Sequence, residues 1–153
     1  MHAEPNGDLD VRYSLFTERF GKLRPKAKSA KKITSKLAPH LQPGNVVGAR
    51  LVEKNGLQIV DALKKRRISI PSPDLHALNQ LLAEAEPDAM LWTLLSQGEF
   101  SWASALALLG WDPQGARCRA CGKLPRAFHI STQEFFCEPC ASKLSRDALI
   151  FIA

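Results

Sequence analysis

At 153 residues, with a hydrophobic fraction of 45% and a net charge of +6, the chain fits one compact domain or a small domain with an appended finger. No apolar run approaches the ~20 residues that cross a bilayer, and residues 1–10 are polar, unlike a secretory leader. A reducing, cytoplasmic setting without a membrane partner is therefore expected.

The charges are segregated. Residues 1–67 hold fifteen Lys/Arg against six Asp/Glu, residues 68–116 hold six acids and no Lys or Arg, and residues 117–153 hold six basic and three acidic residues. Three segments follow: a basic, partly flexible N-terminal arm (1–45), a helical body (46–115) and a C-terminal finger (116–153).

In chain order, residues 11–20 read as a short helix with Leu15, Phe16 and Phe20 on one side. Lys22, Arg24, Lys26, Lys28, Lys31, Lys32 and Lys36 follow, with no acid between Glu18 and Glu53. Charges at that density stay solvated or lie against an anion, so the arm is a candidate phosphate contact. Pro25 and Pro39 interrupt any long helix there. A second helix is expected from about Asn55, with Leu57, Val60 and Leu63 on its apolar face. Lys64, Lys65, Arg66 and Arg67 would end it, complementing its dipole or meeting phosphates.

Start and stop signals then mark three helices. Ser72, Pro73 and Asp74 open the first, with Leu75, Leu78, Leu81 and Leu82 at helical spacing. Glu86, Pro87 and Asp88 open the second, with Met90, Leu91, Leu94 and Leu95 inside and Gly98 at its end. Residues 101–109 form the third, stopped by Gly110. Trp92 and Trp102 are expected to be buried among these leucines. The third helix carries no cation or amide, so it is not read as a groove-reading helix. The predicted fold class is mostly α, a small helical body with a four-cysteine finger built from a short β-hairpin plus a helix.

All four cysteines lie in the finger, as Cys118-x-x-Cys121 and Cys137-x-x-Cys140 separated by fifteen residues. That is the spacing of a four-thiolate zinc site, in which two knuckles complete one tetrahedron. One structural Zn²⁺ is expected, held by Cys118, Cys121, Cys137 and Cys140. Gly122 after the first knuckle permits φ > 0. Residues 123–130 and 134–136 form the expected hairpin. Residues 141–150 continue as a helix in a treble clef, or as a third strand in a zinc ribbon. Arg117, Arg119, Lys123, Arg126, Lys143 and Arg146 are candidate phosphate contacts, and equally they could offset the negative charge of four thiolates. His129 is taken as a hairpin residue.

The stretch 118–122 together with 136–140 resembles the C-terminal zinc site of FlhC-type transcriptional regulators, and the finger also looks like the DksA/TraR type. The resemblance implies the four ligands and no further site residue. The expected function is a nucleic-acid-binding accessory or transcription-regulatory protein, with DNA favoured over RNA. The alternative is an adaptor docking through its finger on RNA polymerase or another assembly. A closed four-thiolate site offers no open metal position, and no nucleophile–base or phosphate-cradling motif occurs, so no catalysis is expected.

Overall fold

The computed structural model describes residues 2–98 and 100–152. The chain divides into two compact units, 1–98 and 99–153. It is 22% helix and 31% strand, and a mixed sheet dominates the first unit, which overturns the expectation of a mostly α fold.

In the first unit, β1 (His2–Pro5), β2 (Val11–Thr17), β3 (Gly21–Leu23), β4 (Lys26–Ala27), β5 (Asn45–Glu53) and β6 (Leu57–Arg67) precede α1 (Ser72–Leu81) and α2 (Ala89–Gln97). The strand order is β1-β2-β4-β6-β5, with β3 paired to β2. The pairs β1/β2, β2/β4 and β5/β6 are antiparallel, and the β4/β6 step is parallel. Three antiparallel strands, a parallel step and a returning hairpin trace the path of an open, OB-type Greek-key sheet. Tyr13, Ala27, Ala30, Leu41, Ile59 and Ala62 form its core.

Two helices expected from the sequence are strands. Residues 11–17 carry Val, Tyr, Phe and Thr, which suit a pleated, half-buried surface, and Tyr13 and Phe16 turn inward. At 57–67, Leu57, Val60 and Leu63 share helical spacing, yet Val60 and Leu63 face solvent while Ile59 and Ala62 are buried. The deciding residues are Asn55 and Gly56, with φ of 52° and 90°. Two successive left-handed residues make the tight turn whose twist suits a two-stranded hairpin, and Asn-Gly is its preferred pair. The basic segment at 21–27 is likewise built into β3 and β4.

The helices of the acidic middle follow their signals closely. In α1, Leu75, Leu78 and Leu81 are buried. The helix begins at Ser72, one residue before the expected start, without a side-chain cap. Asp88 caps α2 by accepting the Leu91 amide at 2.8 Å, and Gly98 closes it in the left-handed conformation. Leu91 and Leu95 are buried, whereas Met90 is exposed and Trp92 is half-buried against Phe16.

A seam ties β3 to the segment between the helices. The Ala85 amide donates to the Lys22 carbonyl at 2.9 Å, and Lys22 Nζ donates to the Asn79 carbonyl at 3.0 Å. Gly21 makes the approach possible. Its φ is +65°, and a Cβ there would lie 2.2 Å from the Glu86 carbonyl oxygen. Gly21→Ala combines left-handed strain with a backbone clash and is expected to destabilise the first unit by about 2–4 kcal/mol. For a unit of this size that lowers the melting temperature by roughly 10 °C or more. A variant melting within two degrees of the parent would show that the seam yields cheaply.

The second unit contains α3 (Trp102–Leu108), β7 (Ala127–His129), β8 (Glu134–Phe136), α4 (Glu138–Ala141) and β9 (Leu149–Phe151). Ser101 caps α3 through the Ser104 amide at 3.2 Å. The sheet order is β8-β7-β9, antiparallel throughout. Phe128 is fully buried between Phe135 and Trp111, at ring separations of 5.0 and 5.3 Å. Burying such a ring is worth about 2–3 kcal/mol. Trp102 is half-buried and meets Phe100 edge-on at 5.1 Å. Of the two endings foreseen for the chain, the tail takes the third strand. The helix after the second knuckle ends at Ala141, and a 3-10 turn at Arg146–Ala148 leads into β9.

Candidate metal centre and nucleic-acid interface

The sulfurs of Cys118, Cys121, Cys137 and Cys140 lie within 4.8 Å of one another. Cys121 and Cys137 approach to 3.4 Å, and Cys140 and Cys121 to 3.8 Å. Zn–S bonds of ~2.3 Å at tetrahedral angles place sulfurs ~3.8 Å apart. The four thiols thus converge on one point, and donor set and spacing both fit a zinc ion.

Local backbone structure aims the sulfurs. Gly122 takes φ +72° and donates its amide to the Cys118 carbonyl at 2.9 Å, while Cys118 donates to the Lys123 carbonyl at 2.8 Å. These bonds close the first knuckle. The Arg119 and Arg126 amides donate to the Phe135 and Phe136 carbonyls, each at 2.8 Å, fastening that knuckle beside β8. Cys137 precedes α4, with Pro139 in its first turn, where a missing amide costs nothing. Cys118 and Cys137 are buried, Cys140 is half-buried and Cys121 is exposed.

The thiols titrate unequally. The Cys137 backbone amide, directed at the Cys118 sulfur, lowers that thiol to about 6. The Lys123 amide pulls Cys121 down, but the sulfurs of Cys137 and Cys118 outweigh it and the net shift is upward. The sulfurs of Cys137 and Cys121 raise Cys140 to about 12. One thiolate is favoured without a cation and four are not, so a metal would displace protons on binding.

The predicted phosphate contacts divide into two groups. Arg24 pairs with Glu4 at 2.7 Å and Glu84 at 3.6 Å, and Lys26 with Asp10 at 3.0 Å. The Ser29 amide and Lys26 hold the Asp10 carboxyl below its usual range. Lys22 is engaged in the seam, and Lys31 Nζ donates to the Gly7 carbonyl at 2.9 Å. These four cations support the sheet. Lys28, Lys32 and Lys36 lie in the loop between β4 and β5, exposed and without an ion pair among the described residues.

In the second unit, Arg119 pairs with Glu134 at 2.9 Å, Arg146 stacks 5.9 Å from the Phe151 ring, and Arg117 donates to the Ala116 carbonyl. Lys123, Arg126 and Lys143 are exposed and unpaired among the described residues. Lys143 and Arg146 do not share a helix: Lys143 follows α4, and Arg146 opens the 3-10 turn. His129 accepts the Thr132 amide at 3.2 Å and so braces the hairpin.

A further basic cluster, open in the sequence to a helix-end or a phosphate-contact explanation, lies on a strand. Lys64, Lys65, Arg66 and Arg67 end β6, all exposed and unpaired among the described residues. On a strand no macrodipole explains them. Arg50 adds a further exposed cation on neighbouring β5, directly opposite Asp61. The Asn55-Gly56 turn was the signal that could have placed them on a hairpin.

Comparison with known proteins adds a relationship. The family model described as "Recombination protein O N terminal" matches residues 1–67. The chain is also 28% identical over 134 residues to DNA repair protein RecO of Geobacter metallireducens, an alignment covering 71% of this chain and 55% of that protein. The chain thus spans about half the length of that relative. These matches replace the resemblance to FlhC-type regulators, and neither supports transcription regulation or a transcription-machinery partner. No helix among the described residues is long and apolar enough to cross a membrane.

Proposed function

We propose that this chain is an intracellular nucleic-acid-binding protein of DNA repair or recombination, acting on the phosphate backbone and without catalysis of its own. The observation that carries the reading is the exposed, unpaired run Lys64, Lys65, Arg66 and Arg67 on β6. It ends the segment matched by the recombination-protein family model. An open OB-type sheet is a common platform for nucleic-acid strands. Lys28, Lys32 and Lys36 extend the positive surface of that unit. Lys123, Arg126 and Lys143 supply a second basic surface on the finger.

Zinc at the four thiolates would act structurally. The sheet β8-β7-β9 has only three-residue strands, and in so small a unit metal binding becomes folding energy. Contacts to phosphates position a protein on nucleic acid without reading sequence, so weak sequence preference is expected, with DNA as the ligand.

Fluorescence anisotropy with labelled DNA between 50 and 200 mM salt tests the reading. Six phosphate contacts would lower affinity about a thousandfold across that range, linearly in log–log form. Affinity that stays flat with salt, together with capture of a protein partner that survives nuclease treatment, would replace this reading with the adaptor alternative.

A further inference from the structure

The first unit holds a cleft of about 500 Å³ that, of the phosphate contacts above, takes in Lys65 alone. Phe16 and Trp92 line it, with Asn45, and Arg19 and Lys65 are its two cations. Glu18 is the one carboxylate in the lining. We propose that this cleft receives one unstacked base of a single-stranded nucleic acid, with Lys65 and Arg19 meeting the flanking phosphates. The inference rests on the nucleic-acid reading and deepens it.

The lining matches that ligand on several counts. The volume falls within the ~300–1,000 Å³ of small-molecule sites. Phe16 and Trp92 are in ring contact at 6.3 Å, tilted by 45°, and Trp92 remains half-exposed at the end of a packed apolar unit. Aromatic side chains stack on any base, because every base has a π-face.

Charge continuity selects a nucleic acid over a neutral apolar ligand. Lys65 belongs to the basic run that ends β6 and also lines the cleft, so the two share a cation. Its side chain is aimed by Gly48, where a Cβ would sit 3.1 Å from Lys65 Cε. The glycine leaves a lane for the lysine stem across β5. Arg19 lies 5.6 Å from the ring centroid of Phe20, which is 57% exposed and forms the lip. The hairpin turns at 6–10 and 54–56 contribute nothing to the lining, so the cleft is separate from the loops by which OB-type sheets commonly hold strands.

The test compares an oligo-dT with an abasic strand of equal length and with duplex DNA, at one salt concentration. The parent should prefer the base-bearing strand over the abasic one about tenfold, as one stacked base provides. Trp92→Leu should erase that preference. Ala49→Phe should do the same by filling the cleft from an exposed position on β5, leaving the aromatic pair and the core intact. Duplex affinity and its salt slope should be unchanged in both variants. Equal binding of the two strands by the parent, or full preference retained in Ala49→Phe, overturns the inference and leaves phosphate binding standing. A parent that binds neither strand nor duplex removes the proposed function, and this inference with it.

Discussion

Cys137→Ser should leave the protein without its metal and unfold the region around β7, β8 and β9, while the first unit keeps its structure. Cys137 is a buried member of the four-thiol cluster, so its replacement removes one of the four sulfurs that would hold the ion. Structural zinc sites contribute about 10–16 kcal/mol of apparent binding energy in small fingers at neutral pH, more than three-residue strands can replace. The first unit has its own core at Tyr13, Ile59 and Ala62. Elemental analysis should find one zinc per parent chain and none in the variant. Hydrogen exchange should show protection lost at Phe128 and Ile150 and kept at Leu78. Metal affinity should also fall as pH falls, because ligands must deprotonate. Cys118, lowered to about 6, is largely thiolate at pH 7.5, whereas Cys140, raised to about 12, and Cys121, shifted upward, are protonated. Binding then releases at least two protons, and affinity should change by about 100-fold per pH unit or more near neutrality. A metal content unaffected by Cys137→Ser, or affinity independent of pH, would refute four-thiolate ligation.

Replacing Lys64, Lys65, Arg66 and Arg67 together by glutamine should weaken DNA binding by two to three orders of magnitude at low salt. The slope of log affinity against log salt should become shallower by about 0.9 for each lost contact to duplex DNA. The four side chains are exposed and make no ion pair among the described residues, so the folded unit should melt where the parent does. Neutralising Lys22, Arg24 and Lys26 should give the opposite pattern. Their partners are Asn79, Glu4, Glu84 and Asp10, and stability should suffer more than the salt slope. If the β6 variant binds DNA with the parent slope, the end of that strand is not the phosphate-binding surface.

The four-cysteine cluster was legible in the sequence because its geometry is local: two C-x-x-C pairs need only a hairpin to meet, and Gly122 shows the turn. The helices of the acidic middle were legible for the same reason, since Asp88 and Gly98 mark their own ends. The sheet was not. Residues 11–17 and 57–67 are short apolar runs whose spacing suits either period, and the partners that decide between them lie far along the chain, as in the pairing of Lys26 with Gln58. Charge density showed where cations are plentiful and could not show which were already engaged. Lys26 and Lys28 look alike in sequence, yet one meets Asp10 and the other meets solvent. The four cations of β6 end a strand, so the dipole explanation that a helix end would offer does not apply to them.

The seam at Gly21 bears on where this chain can be divided. The recombination-protein match stops at Arg67, but β3 finds its neighbour at residues 84–86 and Lys22 its acceptor on α1. A fragment cut at residue 67 would expose the Lys22 carbonyl, uncover Phe16 where Trp92 covers it, and present a bare strand edge to its own copies. The segment matched by the family model and the compact unit therefore differ in length. The compact unit extends through Gly98, and grafting or swapping this sheet between proteins should carry both following helices with it.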